Sequence, residues 1–249
     1  MTPTPPLVGR DWALFLDVDG TLLDYVPRPD MAQVSPALKE TLAALQTALD
    51  GAVSVVSGRA IADVKRLFAP LQLAVAGQHG AEAWLDSSRH LDATPSRQLK
   101  TILAPVCAYA RQIPAIYVED KGASVAFHYR GAEEERANLY SMLQDAVARS
   151  DGTYNLLQAH LAFDVRPRGA NKGRAVEWFM AAPPFAGRVP VFAGDDNTDE
   201  DGFAAALARH GHAIKVGDRV PSIAPWNFPT PDVLRGWLEQ SAAALGAAR

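Results

Sequence analysis

The chain has 249 residues, 48% of them hydrophobic, and a formal net charge of −4 at pH 7, so it is long enough to bury a large core in one domain or two modest ones. The acidic balance argues against nucleic acid or an anionic membrane surface as partner. A lone Cys107 excludes an intrachain disulfide and a cysteine-based zinc cluster.

The lack of a recognisable targeting segment agrees with the class of protein that the composition indicates. The N-terminal residues carry no apolar signal region, and no apolar run is long enough to span a bilayer. We therefore predict a cytoplasmic protein that acts on a small molecule, without membrane or nucleic acid, and we take a monomer as the default.

Short apolar runs alternate with helical patterns in the first third of the chain. The runs predicted to be strands are 13–16, 53–56 and 73–76. Ser35 and Pro36 have the residue types that cap and open a helix, which ends before Gly51, and a second helical pattern covers 61–68. Alternating strands and helices predict parallel βαβ units.

The pattern changes in the middle of the chain. Helical spacing is predicted from Leu99 to Ala110 and again over about 133–149, and two strands follow each helix. Those strands are predicted at 115–120, 123–130, 153–158 and 161–166. This αββαββ order predicts an inserted α+β domain over residues 87–167, between the two parts, 1–86 and 168–249, of the larger domain.

The strand–helix alternation returns near Asn171, which is a suitable N-cap for the next helix. Two further buried strands are predicted at 188–193 and 213–216, and Thr230 and Pro231 open a last amphipathic helix. The predicted fold class is therefore α/β, a doubly wound, Rossmann-like parallel sheet with an inserted α+β domain.

Four polar clusters follow predicted strands or open helices, at 17–21, 57–59, 171–172 and 195–201. Ligands of open α/β sheets bind beyond the carboxyl ends of the strands, so these clusters should meet. Their carboxylates, lysine and hydroxyls suit a divalent cation and a phosphoryl group. Asp17 and Asp19 are two residues apart on extended chain and point the same way, so one could attack phosphorus while the other transfers protons.

The order DVDGT, Ser57, Lys172 and GDDNTDE resembles the four motifs of the haloacid dehalogenase (HAD) phosphohydrolase superfamily. The resemblance implies that Asp17 is the nucleophile and Asp19 the general acid/base, and that Ser57 and Lys172 bind the phosphoryl group. It implies a Mg²⁺ ion held by the Asp17 side chain, the Asp19 carbonyl and Asp195. Residues expected to surround and orient this centre are Thr21, Asp196 and Asp199.

Further segments extend the resemblance to the trehalose-6-phosphate phosphatase family, in which an inserted cap domain closes over the pocket. They are VSGR at 56–59, GQHGAE at 77–82, VEDKGASVAFHYR at 118–130 and FDVRPRGANKG at 163–173. The substrate-binding residues that this resemblance implies are Gly58, Arg59, Glu82, Glu119, Lys121, His128, Arg130 and Asp164. Asp164 departs from the family pattern, where glutamate is more frequent, so a water could bridge it to the sugar. The implied reaction is Mg²⁺-dependent hydrolysis of trehalose 6-phosphate through a phosphoaspartate.

Other interpretations remain open at this point. A phosphatase for sucrose phosphate or a mannosylphosphoglycerate would use the same core, and an inactive sugar-phosphate sensor or a phospho-aspartyl signalling receiver would also cluster such residues. Ser57 could serve as a helix cap, and Lys121 could be a hairpin-turn charge. Arg59 and Glu82 could form surface ion pairs instead of contacting substrate.

Overall fold

The computed structural model describes residues 5–91, 96–159 and 161–247. It divides into two compact units, one formed by Met1–Leu91 with Asn171–Arg249 and the other by Asp92–Ala170. Each unit has its own hydrophobic core.

The predicted elements occur in the predicted order, together with further elements that the sequence did not predict. The strands are β1 (Trp12–Leu16), β2 (Val53–Val56), β3 (Ala74–Gly77), β4 (Glu82–Trp84), β5 (His90–Leu91), β6 (Tyr117–Asp120), β7 (Val125–His128), β8 (Tyr154–Ala159), β9 (Ala162–Pro167), β10 (Val189–Gly194), β11 (His212–Val216) and β12 (Trp226–Phe228). The α-helices are α1 (Pro36–Ala48), α2 (Ile61–Phe68), α3 (Arg97–Ala110), α4 (Arg136–Ala148), α5 (Lys172–Met180), α6 (Glu200–Ala208) and α7 (Pro231–Ala247).

The larger unit is built on an eight-stranded sheet in the order β12-β11-β10-β1-β2-β3-β4-β5. The six strands from β12 to β3 are parallel, and β4 and β5 continue the sheet antiparallel. The chain winds outward from β1 in both directions, so the carboxyl ends of β1, β2 and β10 share one edge of the sheet. The predicted doubly wound α/β class is confirmed.

Local sequence explains where the helices begin. The Ser35 hydroxyl accepts a hydrogen bond from the Leu38 amide at 3.2 Å, and Pro36 is the first residue of α1. The Asn171 side chain caps α5 by accepting from the Arg174 amide. Both predicted caps are confirmed. The sequence analysis did not identify β4, β5 or β12, which are only two or three residues long.

The smaller unit is a four-stranded antiparallel sheet in the order β6-β7-β9-β8 with helices α3 and α4. One face of the sheet is apolar: Phe127, Phe163 and Val165 are buried with residues of both helices. Residues at alternate positions, among them Glu119 and Asp164, lie on the other face. The predicted αββαββ order is confirmed, whereas His160, predicted to join the last two strands, lies outside the described residues.

The core of the larger unit consists of residues from both sides of the parallel sheet. Every residue of β1 is buried, as expected for a central parallel strand. Rings of Phe15, Phe179 and Phe185 pack together with centroids 5.1–6.1 Å apart. Over residues 5–91, 96–159 and 161–247, none of the helices combines the length and apolar character needed to cross a bilayer.

Candidate active site

Three neighbouring strands deliver polar residues to one edge of the sheet. In the parallel register Leu16 pairs with Ala193 of β10 and with Val55 of β2. Asp17 follows β1 directly, and its amide donates to the Ala193 carbonyl at 3.0 Å. Ser57 and Asp195 follow the ends of β2 and β10 in the same way. The strands themselves thus bring the predicted motifs together.

Lys172 lies at the centre of this edge. As the first residue of α5 it is only 2% exposed, and its Nζ donates to Asp17 Oδ1 at 2.7 Å and to Asp199 Oδ1 at 2.6 Å. The other Asp199 oxygen accepts from the amides of Asp195 and Asp196. Asp199 therefore joins the lysine to the loop after β10. Asp196 and Asp199 also form a reciprocal capping box.

Asp195 is held by two hydroxyl groups. Thr21 donates to its Oδ1 at 3.0 Å, and Tyr25 donates to its Oδ2 at 2.7 Å. Thr21 also lies 3.4 Å from Asp17 Oδ2, so it bridges the two carboxylates. Sequence reasoning missed Tyr25, since a tyrosine eight residues after Asp17 in a loop gives no pattern that points to the site.

The cluster contains more negative than positive charge. Burial raises the pKa of Asp17 well above its usual value; Lys172 opposes this, but the carboxylates of Asp199 and Asp195 add to it. Burial and the Asp199 charge raise the pKa of Asp195 to about 7. Burial alone would lower the pKa of Lys172, yet the neighbouring carboxylates outweigh it and raise that pKa. One ammonium is shared among three carboxylates, so the carboxylates favour an additional positive charge.

The arrangement fits a divalent metal ion. Asp17, Asp195 and Asp199 each offer a carboxylate oxygen, and these oxygens lie within 4.8 Å of one another. Carboxylate oxygens are the ligands of hard cations such as Mg²⁺. Both oxygens of Asp199 accept hydrogen bonds from the Lys172 ammonium and the loop amides, whereas Thr21 and Tyr25, the donors to Asp195, are hydroxyl groups that can turn away from its oxygens.

Asp19 is bound by an arginine. Arg59 Nε donates to Asp19 Oδ2 and Arg59 Nη2 to Asp19 Oδ1, both at 2.7 Å. The Asp19 side chain is 31% exposed and the Arg59 side chain 10%. Of the interpretations that the sequence left open for Arg59, the structure shows an ion pair within the candidate site.

A tight turn supports the loop after β2. Gln78 and His79 both have positive φ, and their amides donate to the carbonyls of Arg59 and Ser57 at 2.9 Å. A Cβ at Gly58 would lie 2.6 Å from His79 Nε2, so a larger residue there would force the His79 ring to move. The Ser57 hydroxyl accepts from the Arg59 amide at 3.1 Å.

The alternative reading of Ser57 as a helix cap is wrong. Helix α2 begins at Ile61, and its N-cap position is Ala60, which offers no side-chain acceptor. The Glu82 carboxylate accepts from the Ile61 amide at 2.8 Å instead. In the structure the carboxylate of Glu82, a β4 residue predicted to bind substrate, caps the start of α2.

The smaller unit brings together four of the five charged residues predicted there. Lys121 Nζ lies 3.1 Å from Asp164 Oδ2 and 3.8 Å from Glu119 Oε2, and His128 Nε2 lies 3.0 Å from the same Glu119 oxygen. Glu119 and Asp164 occupy one row across the sheet, each paired with Ala126 of β7. The fifth residue, Arg130, follows β7 and is exposed.

Burial and partners act in opposite directions on Glu119. Burial raises its pKa, but the hydrogen bond from His128 and the charge of Lys121 outweigh burial and hold the pKa below its usual value. Lys121 and Asp164 have side chains only 7% and 4% exposed. Lys121 is shared here between two carboxylates, and the group forms a polar patch that can donate and accept hydrogen bonds.

Comparison with known proteins identifies the family. The family model for trehalose-phosphatase matches residues 15–226. A probable trehalose-phosphate phosphatase of Sinorhizobium fredii is 37% identical over 227 residues, which are 91% of this chain and 86% of that protein. The chain belongs to the trehalose-phosphatase family. The family predicted from the motifs is thereby confirmed.

Further proteins of known function or known structure are also similar to this member of the trehalose-phosphatase family. The trehalose-6-phosphate phosphatase of Escherichia coli is 35% identical over 247 residues, covering 98% of this chain and 91% of the relative. The solved C-terminal domain of a C. albicans trehalose-6-phosphate phosphatase superposes with a TM-score of 0.82 at 21% identity, covering 94% and 92% of the two chains. A HAD-superfamily phosphatase from Bacteroides thetaiotaomicron shares the fold with a TM-score of 0.57 at 16% identity, covering 99% of each chain.

Proposed function

We propose that this chain hydrolyses trehalose 6-phosphate to trehalose and inorganic phosphate. The observation that carries the proposal is the Asp17–Lys172–Asp199 cluster, buried at the carboxyl edge of the sheet in a member of the trehalose-phosphatase family. A buried lysine beside a carboxylate nucleophile can hold a phosphoryl oxygen and neutralise the approach of two anions.

The reaction proceeds in two steps on the chain's own residues. Asp17 attacks phosphorus while Asp19 gives a proton to the leaving sugar oxygen, which releases trehalose and leaves a phosphoaspartate. Water then attacks phosphorus and gives its proton to Asp19, the bond to Asp17 breaks, and phosphate leaves. Ser57 and Lys172 bind the phosphoryl oxygens throughout.

We propose Mg²⁺ as the metal, held by Asp17, Asp195 and the carbonyl of Asp19. When bound, the ion would neutralise these carboxylates and the phosphoryl oxygens. Asp199, Asp196 and Thr21 orient the ligands, which is supported by the bonds of Asp199 to Lys172 and of Thr21 to Asp195. This assignment agrees with the excess negative charge of the cluster.

We propose that the inserted domain, residues 87–167, is a cap that selects the sugar. The proposed contacts to the disaccharide hydroxyls come from Glu119, Lys121, His128, Arg130 and Asp164. On the other domain we propose Gly58 and Glu82 as residues of the substrate pocket, where Arg59 is paired with Asp19. Charged groups select hydroxyls because leaving them unpaired in a closed site is costly. A cytoplasmic monomer stays our prediction, checked by sedimentation of the purified protein and by fractionation of cells.

The decisive experiment measures phosphate release from trehalose 6-phosphate, sucrose 6-phosphate and glucose 6-phosphate, with Mg²⁺ or with EDTA. We expect turnover of trehalose 6-phosphate in Mg²⁺, little of the other esters, and none in EDTA. Asp17→Asn should reduce turnover by at least about 10³-fold because the nucleophile is lost, while Asp24→Asn, an exposed matched control, should not. Preference for another ester would contradict the proposed sugar, and no turnover at all would favour a sensor.

A further inference from the structure

The contact between Arg59 and Asp19 uses the whole guanidinium group. Nε and Nη2 form two parallel bonds to the two Asp19 oxygens at 2.7 Å, and Nη1 donates to the Pro29 carbonyl, also at 2.7 Å. Paired bonds of this kind fix the plane of a carboxylate as well as its position. Asp19 is therefore held in one orientation by a single neighbouring side chain.

The backbone fixes Arg59 in turn. Its amide donates to the Ser57 hydroxyl at 3.1 Å, and its carbonyl accepts from the Gln78 amide at 2.9 Å. The residue is only 8% exposed. Since a guanidinium buried this far must remain paired, the ion pair with Asp19 is strongly preferred in the folded chain.

We propose that Arg59 is a positioning residue for Asp19, holding its carboxylate in the orientation from which it exchanges protons with the leaving sugar oxygen and then with water. This inference rests on the proposed phosphatase function and deepens it. Each Asp19 oxygen accepts one bond from Arg59 and keeps another lone-pair site, so proton exchange remains possible while the pair is intact.

The role differs from the substrate contact that the family resemblance implies for Arg59. A residue that binds the sugar phosphate contributes to the Michaelis complex, so its loss raises KM. A residue that aims an acid/base group acts on the barrier, so its loss lowers kcat. General acid/base catalysis contributes about 10²- to 10⁴-fold, and misplacing the group forfeits part of that factor.

The test uses two esters that differ in their need for a proton. The alkoxide leaving group of trehalose 6-phosphate is a strong base and needs one, whereas the phenolate of p-nitrophenyl phosphate is a good leaving group. First-turnover release of alcohol or phenol isolates the step that forms phosphoaspartate. The variants are Arg59→Met, Arg59→Lys and Asp19→Asn, with Arg66→Met as control, because Arg66 is exposed and pairs with its helix neighbour Asp63.

We expect Arg59→Met to slow the first turnover of trehalose 6-phosphate by about 10- to 100-fold with KM nearly unchanged. The first turnover of the aryl ester should change by less than about 3-fold, since it needs no acid. Asp19→Asn should show the same contrast more strongly, and the double variant should be no slower than Asp19→Asn alone. Arg59→Lys, which keeps the charge but loses the paired bonds, should be intermediate and decides the question if Arg59→Met does not fold.

Three outcomes would overturn the inference. A raised KM with unchanged kcat would make Arg59 a substrate contact, and equal losses on both esters would make its role merely structural. Multiplying losses in the double variant would show that Arg59 acts independently of Asp19. The wild-type protein is measured first: no turnover of any ester there would overturn the proposed function itself, whereas normal wild-type turnover confines a failure to Arg59.

Discussion

Two regions of the molecule each place a buried lysine between two carboxylates. In the larger unit Lys172 lies 2.7 and 2.6 Å from Asp17 and Asp199. In the smaller unit Lys121 lies 3.1 and 3.8 Å from Asp164 and Glu119. The geometry is tight in the first and loose in the second.

The balance of charge differs as well. A further carboxylate, Asp195, adds to the first cluster and has a pKa raised to about 7 by burial and by Asp199. In the second cluster His128 supplies another hydrogen bond to Glu119, whose pKa lies below its usual value although burial opposes the shift. The excess of negative charge in the first cluster suits a metal ion, whereas the longer contacts of the second cluster suit exchange with neutral hydroxyls.

The largest expected effect follows removal of the first lysine. Lys172→Met leaves Asp17 and Asp199 buried without their shared cation, which should cost about 3–5 kcal/mol of stability in EDTA. Turnover should fall by at least about 10²-fold because the phosphoryl group loses its charged partner. Urea unfolding and phosphate release measure the two effects.

A control variant with the same change keeps this prediction interpretable. Lys100→Met removes an exposed lysine that pairs with Asp120, and should change stability by less than about 1 kcal/mol. If Lys172→Met were as stable and active as this control, the first cluster would not depend on its lysine.

The two lysine clusters also show how much of the candidate site could be predicted from the sequence. Asp17, Lys172 and Asp199 lie far apart in the sequence, yet each follows a strand or opens a helix, so the parallel-sheet rule predicted their meeting. The rule also predicted that the clusters containing Asp19 and Arg59 would meet, but it did not predict that these two residues pair or that Tyr25 contacts the site, because loop conformation decides which side chains touch. The sequence analysis did not predict β4, β5 and β12, because a periodic pattern can be recognised only over more residues than these strands contain.

The excess negative charge of the first cluster (Asp17, Lys172, Asp195 and Asp199) predicts how the stability of the metal-free protein changes with pH. In the unfolded chain Asp195 titrates near 3.8, and in the folded chain at about 7. Between these values the folded state binds a proton that the unfolded state has lost, so stability is greatest at the acid end and declines as pH rises toward 7. The slope from this group is at most about 1.4 kcal/mol per pH unit.

Urea unfolding between pH 5 and 8 in EDTA measures this slope. Asp195→Asn should flatten it, and saturating Mg²⁺ should abolish it, since the ion keeps Asp195 ionised in the folded chain, as it already is in the unfolded chain above pH 5. A slope that is the same with and without Mg²⁺ would argue against a cation at this cluster.

The looser cluster should affect recognition instead of chemistry. We expect Lys121→Met to raise KM for trehalose 6-phosphate by about 10- to 100-fold, the value of a lost charged hydrogen bond, and to leave the first turnover of p-nitrophenyl phosphate unchanged. Asp164→Glu, which restores the more frequent family residue, should keep KM within about 3-fold because Lys121 keeps its partner. A loss of aryl ester turnover in Lys121→Met would contradict a role confined to the sugar.

The smallest effect concerns how rigidly the first cluster is held. Arg219 lies in the loop after β11, and its guanidinium donates to the carbonyls of Asp195 and Asp196 at 2.9 and 3.3 Å and to Asn197 Oδ1 at 2.8 Å. It therefore fixes the backbone that carries Asp195. Sequence reasoning missed it because no motif links the two loops.

Arg219→Ala should weaken Mg²⁺ binding, measured by calorimetry, by about 5-fold, somewhat less than the loss of a group bonded directly to a metal ligand's side chain. Arg209→Ala serves as the matched control, since Arg209 lies at the other end of α6 and pairs with Glu177 on the surface. Equal Mg²⁺ affinity in the two variants would mean that the loop carrying Asp195 keeps its conformation without Arg219. Weaker binding in Arg219→Ala alone would show that the tight geometry of the first cluster is imposed from outside it, by a loop that contributes no ligand.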